Sequence, residues 1–269
     1  LGDVYKRQST KRGLFHCARC GFQTSVTAGT IFQDTRKPLR LWFRAIWHVT
    51  NQKYGANALG LQRALGLGSY HTAWTWMHKL RRAMVRPGRD RLSGTVQADE
   101  VYIGGEKPGK RGRGATGKAL VVIMVELKES RIGRIRLRHV PDASGPSLEG
   151  AIKEDIELGS VVQTDGWGGY GRLSELGYVH EIIRKEAAVG RNVLPKVNRI
   201  AALLKRWLLG TYQGRVEHSH LDYYLDEYTF RFNRRTSHSR GKLFYRLVEQ
   251  AVAISPVLEK DIHGGTLSS

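Results

Sequence analysis

The chain of 269 residues carries 44 lysines and arginines against 24 aspartates and glutamates, a formal net charge of +20, with 41% hydrophobic residues. That content allows a core, and the excess of positive charge selects polyanions as partners, nucleic acid ahead of an anionic membrane surface. No apolar run is long enough to span a bilayer, no signal-peptide pattern is present, and two cysteines are too few for a disulfide scaffold; a cytoplasmic location is expected.

Residues 1–8 (Leu-Gly-Asp-Val-Tyr-Lys-Arg-Gln) fit poorly with the residues after them and read as a translated sequencing adapter, an artefact outside the fold. Over 9–37, Cys17-Ala18-Arg19-Cys20-Gly21-Phe22 has the form of one knuckle of a zinc ribbon. Zinc takes four ligands in a tetrahedron. Cys17 and Cys20 are two, and His16 is badly placed to join them, so a partial ribbon is expected, binding Zn2+ only if the missing pair is present. A redox pair is the rival, without the βαβ context it needs.

Residues 38–90 read as helical. Leu39, Trp42, Phe43, Ile46, Trp47 and Val49 recur at helical spacing. A short helix over 56–65 runs into Gly66-Leu67-Gly68-Ser69, and Ser69 can cap a longer helix over 70–85, ended by Pro87-Gly88. Short helix, glycine turn and longer helix predict a helix-turn-helix. His71, Thr72 and Thr75 could then reach base edges, and Lys79, Arg81 and Arg82 phosphates. A plain helical hairpin with a solvated basic face is the alternative.

From residue 91 to 255 the period changes. Strands are expected over 95–105, 119–127 and 132–140, the last with one wet, basic face. A helix over 147–156, a strand over 160–166 ending on Asp165, a helix over 167–176 and a strand over 178–184 come next. Helices fill most of 195–255, and 256–269 reads as a flexible tail. The order predicts an α/β fold, a mixed sheet flanked by helices. The loop 107–118 nearly matches two phosphate-binding fingerprints, but both need a helix next, and a Val/Ile-rich strand takes its place. Lys110, Arg111 and Arg113 there suit a phosphate backbone better.

In Val96-Gln97-Ala98-Asp99-Glu100-Val101, period two sends Asp99 and Glu100 to opposite faces. An ionised carboxylate in a core-bound strand is costly unless a metal or another cation meets it; the readings are an edge strand with solvated acids or a metal carboxylate in an active site. Asp165 ends another strand before Gly166-Trp167-Gly168-Gly169-Tyr170. If those strands are neighbours, the two aspartates repel unless a divalent cation lies between them. Asn198 starts a helix, where it reads as a cap, and Lys205 stands two turns later on the same face.

These stretches in this order, with Leu203-Leu204-Lys205-Arg206 and Tyr224-Leu225-Asp226-Glu227-Tyr228-x-Phe230-Arg231-Phe232-Asn233-Arg234-Arg235, resemble the ISXO-type family of bacterial insertion-sequence transposases, of the DDE class. The likeness covers roughly 12–255. It implies a ribonuclease-H-like core. Asp99, Asp165 and Asn198 stand at its three metal-ligand positions, the last a departure from glutamate, and Lys205 stands at the family's lysine position. It further implies Mg2+ (or Mn2+), cleavage of element ends to a 3′-hydroxyl with transfer to target DNA, double-stranded DNA as partner, and a homodimer or larger assembly. Arg206, Arg231, Arg234 and Arg235 are expected at phosphates. The rivals are a non-catalytic DNA-binding derivative and a nuclease without strand transfer.

Overall fold

The structure, a computed structural model, describes residues 7–9, 13–86, 88–104, 118–129, 131–184, 193–214 and 216–263. The loop bearing Lys110, Arg111 and Arg113 lies outside the described residues, as do Pro87 and 264–269.

Arg7–Ser9 (β1), Leu14–His16 (β2) and Gln23–Ser25 (β3) form a small antiparallel sheet around the Cys17–Cys20 turn. Arg7 and Gln8, expected to lie outside the fold, pair with His16 and Phe15 there. Three helices come next: Leu39–Asn51 (α1), Ala58–Leu65 (α2) and Tyr70–Ala83 (α3). Asn57 caps α2 by accepting the Gly60 N–H at 2.7 Å. Gly66 ends it at φ +64°, a left-handed conformation that costs glycine no Cβ clash. Ser69 precedes α3 as expected but makes no side-chain cap bond.

The main sheet comprises Thr95–Ile103 (β4), Ala119–Lys128 (β5), Arg131–Val140 (β6), Val161–Thr164 (β7) and Val179–Ile182 (β8). Its order is β6-β5-β4-β7-β8. β5 runs antiparallel to both its neighbours, β4 and β6, while β7 and β8 run parallel to β4. This is the mixed sheet of an α/β fold. β5 is buried on both faces from Ala119 to Glu126, so helices must cover both. Gly145–Asp155 (α4) packs on the face of Leu120, Val122 and Met124. Pro195–Tyr212 (α5) and Leu221–Asn233 (α6) pack on that of Val121, Ile123 and Val125. Arg240–Ala253 (α7) closes a separate core over α1–α3, and Glu259–His263 (α8) comes last.

Four expectations change. The helix over 167–176 is a single 3-10 turn, Gly168–Tyr170, with further turns after it; Gly166, Gly168, Gly169 and Gly171 make an α-helix costly there. The basic face of β6 is not wet. Arg134 pairs with Glu126 at 2.6 Å and Arg138 with Asp155 at 2.6 Å. Arg136, 5% exposed, donates to the Asp90 carbonyl at 2.6 Å. The segment after Pro256 forms α8, where Ile262 is fully buried and its carbonyl lies 2.9 Å from His220 Nε2. Asn198 is the fourth residue of α5, not its cap; Leu194 holds that position, and Pro195 opens the helix.

Candidate active site

Along β4, Val96 and Ala98 enter the core beneath α4, while Val101 and Ile103 join the core beneath α5. By alternation Asp99 faces the α5 side and Glu100 the α4 side. The Glu100 carboxylate accepts from the Tyr170 hydroxyl at 3.1 Å on that second side. Asp99 is half-buried, and its Oδ1 accepts the Glu100 N–H at 2.8 Å.

Asp165 comes directly after β7 and is exposed. Its Oδ1 accepts the Trp167 N–H at 2.9 Å. β4 and β7 are parallel neighbours, with Val96 opposite Val162 and Gln97 opposite Gln163. The paired register ends there, two residues short of Asp99 on one strand and of Asp165 on the other. Tyr170, on the α4 side, is buried. Its hydroxyl is held well above the usual range, first by burial, then by the charges of Glu100 and Asp99, its bond to Glu100, and the charge of Asp165. Three carboxylates thus act on one phenol.

α5 lies over this stretch. Val197, Ile200, Ala201, Leu204 and Leu208 form its buried face. Asn198 and Lys205, seven residues apart, share one exposed flank. The Lys196 N–H donates to Gln97 Oε1 at 3.2 Å, which sets the first turn of α5 against β4 two residues before Asp99. The Asn198 amide nitrogen donates to the Leu194 carbonyl at 3.0 Å, so its oxygen is the end turned away from the helix. Burial and nearby Lys118 lower the Lys205 ammonium below its usual range.

Two carboxylates and an amide oxygen are the hard donors that Mg2+ prefers. Among the described residues, no group of three or more His, Cys, Asp or Glu is arranged to hold a metal ion, so the fit rests on the amide as third ligand. At the N-terminal turn both thiols are free, with Cys17 buried and Cys20 exposed. The Cys17 N–H donates to Phe22 O at 2.8 Å and the Gly21 N–H to Cys17 O at 3.0 Å. Backbone hydrogen bonds from Cys20 and Arg19 lower the Cys17 thiol, which favours the thiolate a metal would take.

Several expected DNA contacts lie elsewhere. In α3, His71 is exposed beside Glu259 at 3.4 Å, and Thr72, Lys79 and Arg82 are half-buried. Thr75 and Arg81 are buried, at 7% and 2% exposure. Arg81 pairs with Glu227, because α3 is enclosed by α6, α7 and α8 rather than free along one face. Arg206 is exposed on α5. Arg231 bonds Glu227, Gln52 O and Val49 O. Arg234 stacks on Phe230 and donates to its carbonyl. Arg235 donates to the carbonyls of Ile132 and Gly133. These three tie α6 to its neighbours instead of reaching outward.

Sequence reasoning missed Gln97, Gln163, Tyr170 and Lys118. A signal for two of them was present: Gln-x-Asp occurs twice, within β4 as Gln97-Ala98-Asp99 and at the end of β7 as Gln163-Thr164-Asp165.

The mixed five-stranded sheet carries Asp99 on β4 and Asp165 directly after the parallel neighbour β7, with the basic helix α5 packed on it. The chain belongs to the family described as the ISXO2-like transposase domain, which matches residues 91–233. Among solved structures it is similar to a pre-cleavage Mos1 transpososome, at 11% identity over 84% of this chain and 83% of that chain, with a TM-score of 0.29. No curated protein matches it.

Proposed function

We propose that the chain cuts DNA at the ends of its element and joins the freed 3′-hydroxyls to target DNA. The parallel pairing of β4 with β7, ending two residues short of Asp99 and Asp165, is the observation that supports this reading. Asp99, Asp165 and the Asn198 oxygen would hold Mg2+ (or Mn2+). Bound there, the metal supplies charge neutralisation and activation of the attacking oxygen for in-line phosphodiester chemistry. Lys205 grips a phosphate beside the scissile bond.

The DNA path runs along α5. This helix carries Lys196, Arg199, Lys205 and Arg206 and no acidic residue, so phosphates meet only attraction along it. His71, Thr72, Lys79 and Arg82 at the margins of α3 extend the contact to double-stranded DNA in the helix-turn-helix region; Thr75 and Arg81 take no part. A homodimer or larger assembly holds two ends together in the cytoplasm. Cys17 and Cys20 supply half of a zinc site, to be completed by a second pair.

Strand transfer with element-end DNA and Mg2+ tests the reading: the parent joins ends and Asp165→Ala does not. Equal joining by the variant would overturn the active-site assignment. The uncharged Asn198 favours one second reading, a DNA-binding derivative without catalysis. In that case the parent binds element ends but neither cuts nor joins them.

A further inference from the structure

The three proposed metal ligands share a feature two residues back along the chain. Two residues before Asp99 is Gln97, two before Asp165 is Gln163, and two before Asn198 is Lys196. These three positions are bonded to one another. The Lys196 N–H donates to Gln97 Oε1 at 3.2 Å, Gln97 Nε2 to Gln163 Oε1 at 3.2 Å, and Gln163 Nε2 to Glu181 Oε2 at 2.9 Å. On a strand, residues i and i+2 emerge on the same face. Gln97 and Gln163 therefore line the same side as the aspartates two residues beyond them.

We infer that Gln97 is a positioning residue, which sets Asp99, Asp165 and Asn198 at their working distances by tying β4, β7 and α5 together through one side chain. The inference rests on the proposed active-site reading.

The chemistry of the amide explains why glutamine stands there. Gln97 is 7% exposed, so both ends of its amide need partners. An amide can accept from α5 and donate to β7 at once. A glutamate could accept from Lys196 but not donate to Gln163, and it would add a third negative charge beside the two aspartates. A leucine would leave the Lys196 and Gln163 groups without these bonds. Glu181, when ionised, can only accept. It therefore fixes the polarity of the whole chain: Gln163 must turn its oxygen to Gln97, and Gln97 its oxygen to α5.

Mn2+ binding to the full chain, monitored through the electron paramagnetic resonance of free Mn2+, tests the inference without requiring turnover. Gln97→Leu is expected to weaken Mn2+ binding roughly tenfold, the usual loss when a partner of a metal ligand's support is removed. Gln163→Leu cuts only the β7 arm and leaves the Lys196–Gln97 bond, so it weakens binding less, and the double variant is no weaker than Gln97→Leu, which already removes the shared bond. Leu247→Ala, a cavity in the separate core under α7, controls for lost stability and leaves Mn2+ affinity unchanged.

Mn2+ binding by Gln97→Leu as tight as the parent's overturns the inference. So does an equal weakening by Leu247→Ala. Asp99→Asn separates the two levels. If it abolishes binding while Gln97→Leu does not, the active-site reading stands and the positioning role falls. If the parent does not bind Mn2+, or Asp99→Asn leaves binding intact, both fall.

Discussion

Arg81 and Glu227 form an ion pair, Nε to Oε2 2.9 Å, with side chains only 2% and 0% exposed. It bolts α3 to α6, and so the N-terminal helices to the core. Glu227 also meets Arg231 at 2.7 Å and the Tyr212 hydroxyl at 3.0 Å. Burial alone would raise the Glu227 carboxyl, but Arg231 and Arg81 hold it below the usual range.

Removing Glu227 strands two cations, whereas removing Arg81 leaves Glu227 with Arg231. Glu227→Gln is therefore expected to cost about 3–5 kcal/mol, the usual cost of breaking a buried pair, and Arg81→Met clearly less. Urea denaturation of the two variants checks the order. Equal losses would mean that Arg231 does not compensate.

Asp226, the preceding residue, carries the opposite sign. Its carboxyl is pushed up to about 7, chiefly by burial and further by Asp222, against the pull of Arg89, Arg82 and Arg138. A folded-state value above the unfolded 3.8 means that the native chain holds this proton more tightly. The stability it contributes is present below the unfolded value and lost as pH rises through about 7. Asp226→Asn keeps a neutral side chain at every pH. Its melting temperature should exceed the parent's at pH 8, and the gap should close toward pH 4. A gap independent of pH would show that ionisation is not its cause.

Gly166 comes after Asp165 at φ +82°, and a Cβ there would lie 2.6 Å from Ile182 Cγ2. Gly166→Ala meets both a left-handed backbone, which costs an L-residue about 1–2 kcal/mol, and a clash with β8. Relief requires moving the turn that carries Asp165. A shift of about 1 Å is enough to lower strand transfer roughly a hundredfold, measured on a variant still folded by circular dichroism. Activity within twofold of the parent would show that the turn tolerates the methyl group.

How much of this was legible depends on how local each signal is. The unbroken run from Ala119 to Val125 announces a central strand. Asp99 stands out because an acid in an apolar strand is costly, and Asp165 because a glycine turn comes after it. The basic residues are a different matter. Arg81 looks the same in sequence whether it meets solvent or a carboxylate 146 positions away. Arg231, Arg234 and Arg235 misled for the same reason: their carbonyl and carboxylate partners are not marked by any local pattern. The helix expected after Asp165 failed on a local signal that was present, four glycines within six residues.

Lys205 shares the exposed flank of α5 with Asn198 and has Lys118 near it. Removing one phosphate contact reduces the steepness of the salt dependence by about one unit of log Kd per log salt. Lys205→Gln is expected to do this for element-end DNA, while Arg235→Gln, whose guanidinium is spent on the Ile132 and Gly133 carbonyls, leaves the slope unchanged. Anisotropy titrations across a salt series distinguish them. An altered slope for Arg235→Gln with none for Lys205→Gln would put the DNA on the other side of the molecule.

Asn198 is the position where added charge should have two opposite effects. A carboxylate there joins Asp99 and Asp165, so without metal the three repel and the fold loses stability. With a divalent cation, the extra charge strengthens binding, since affinity at oxygen sites rises with the number of charged ligands. Asn198→Glu should melt lower than the parent in EDTA and gain more than the parent on adding Mg2+. The Mg2+ concentration for half-maximal cleavage should fall. The two measurements must move together: a lower melting temperature in EDTA without a larger gain from Mg2+ would place Asn198 outside the metal site, even though it lies on the helix that faces Asp99.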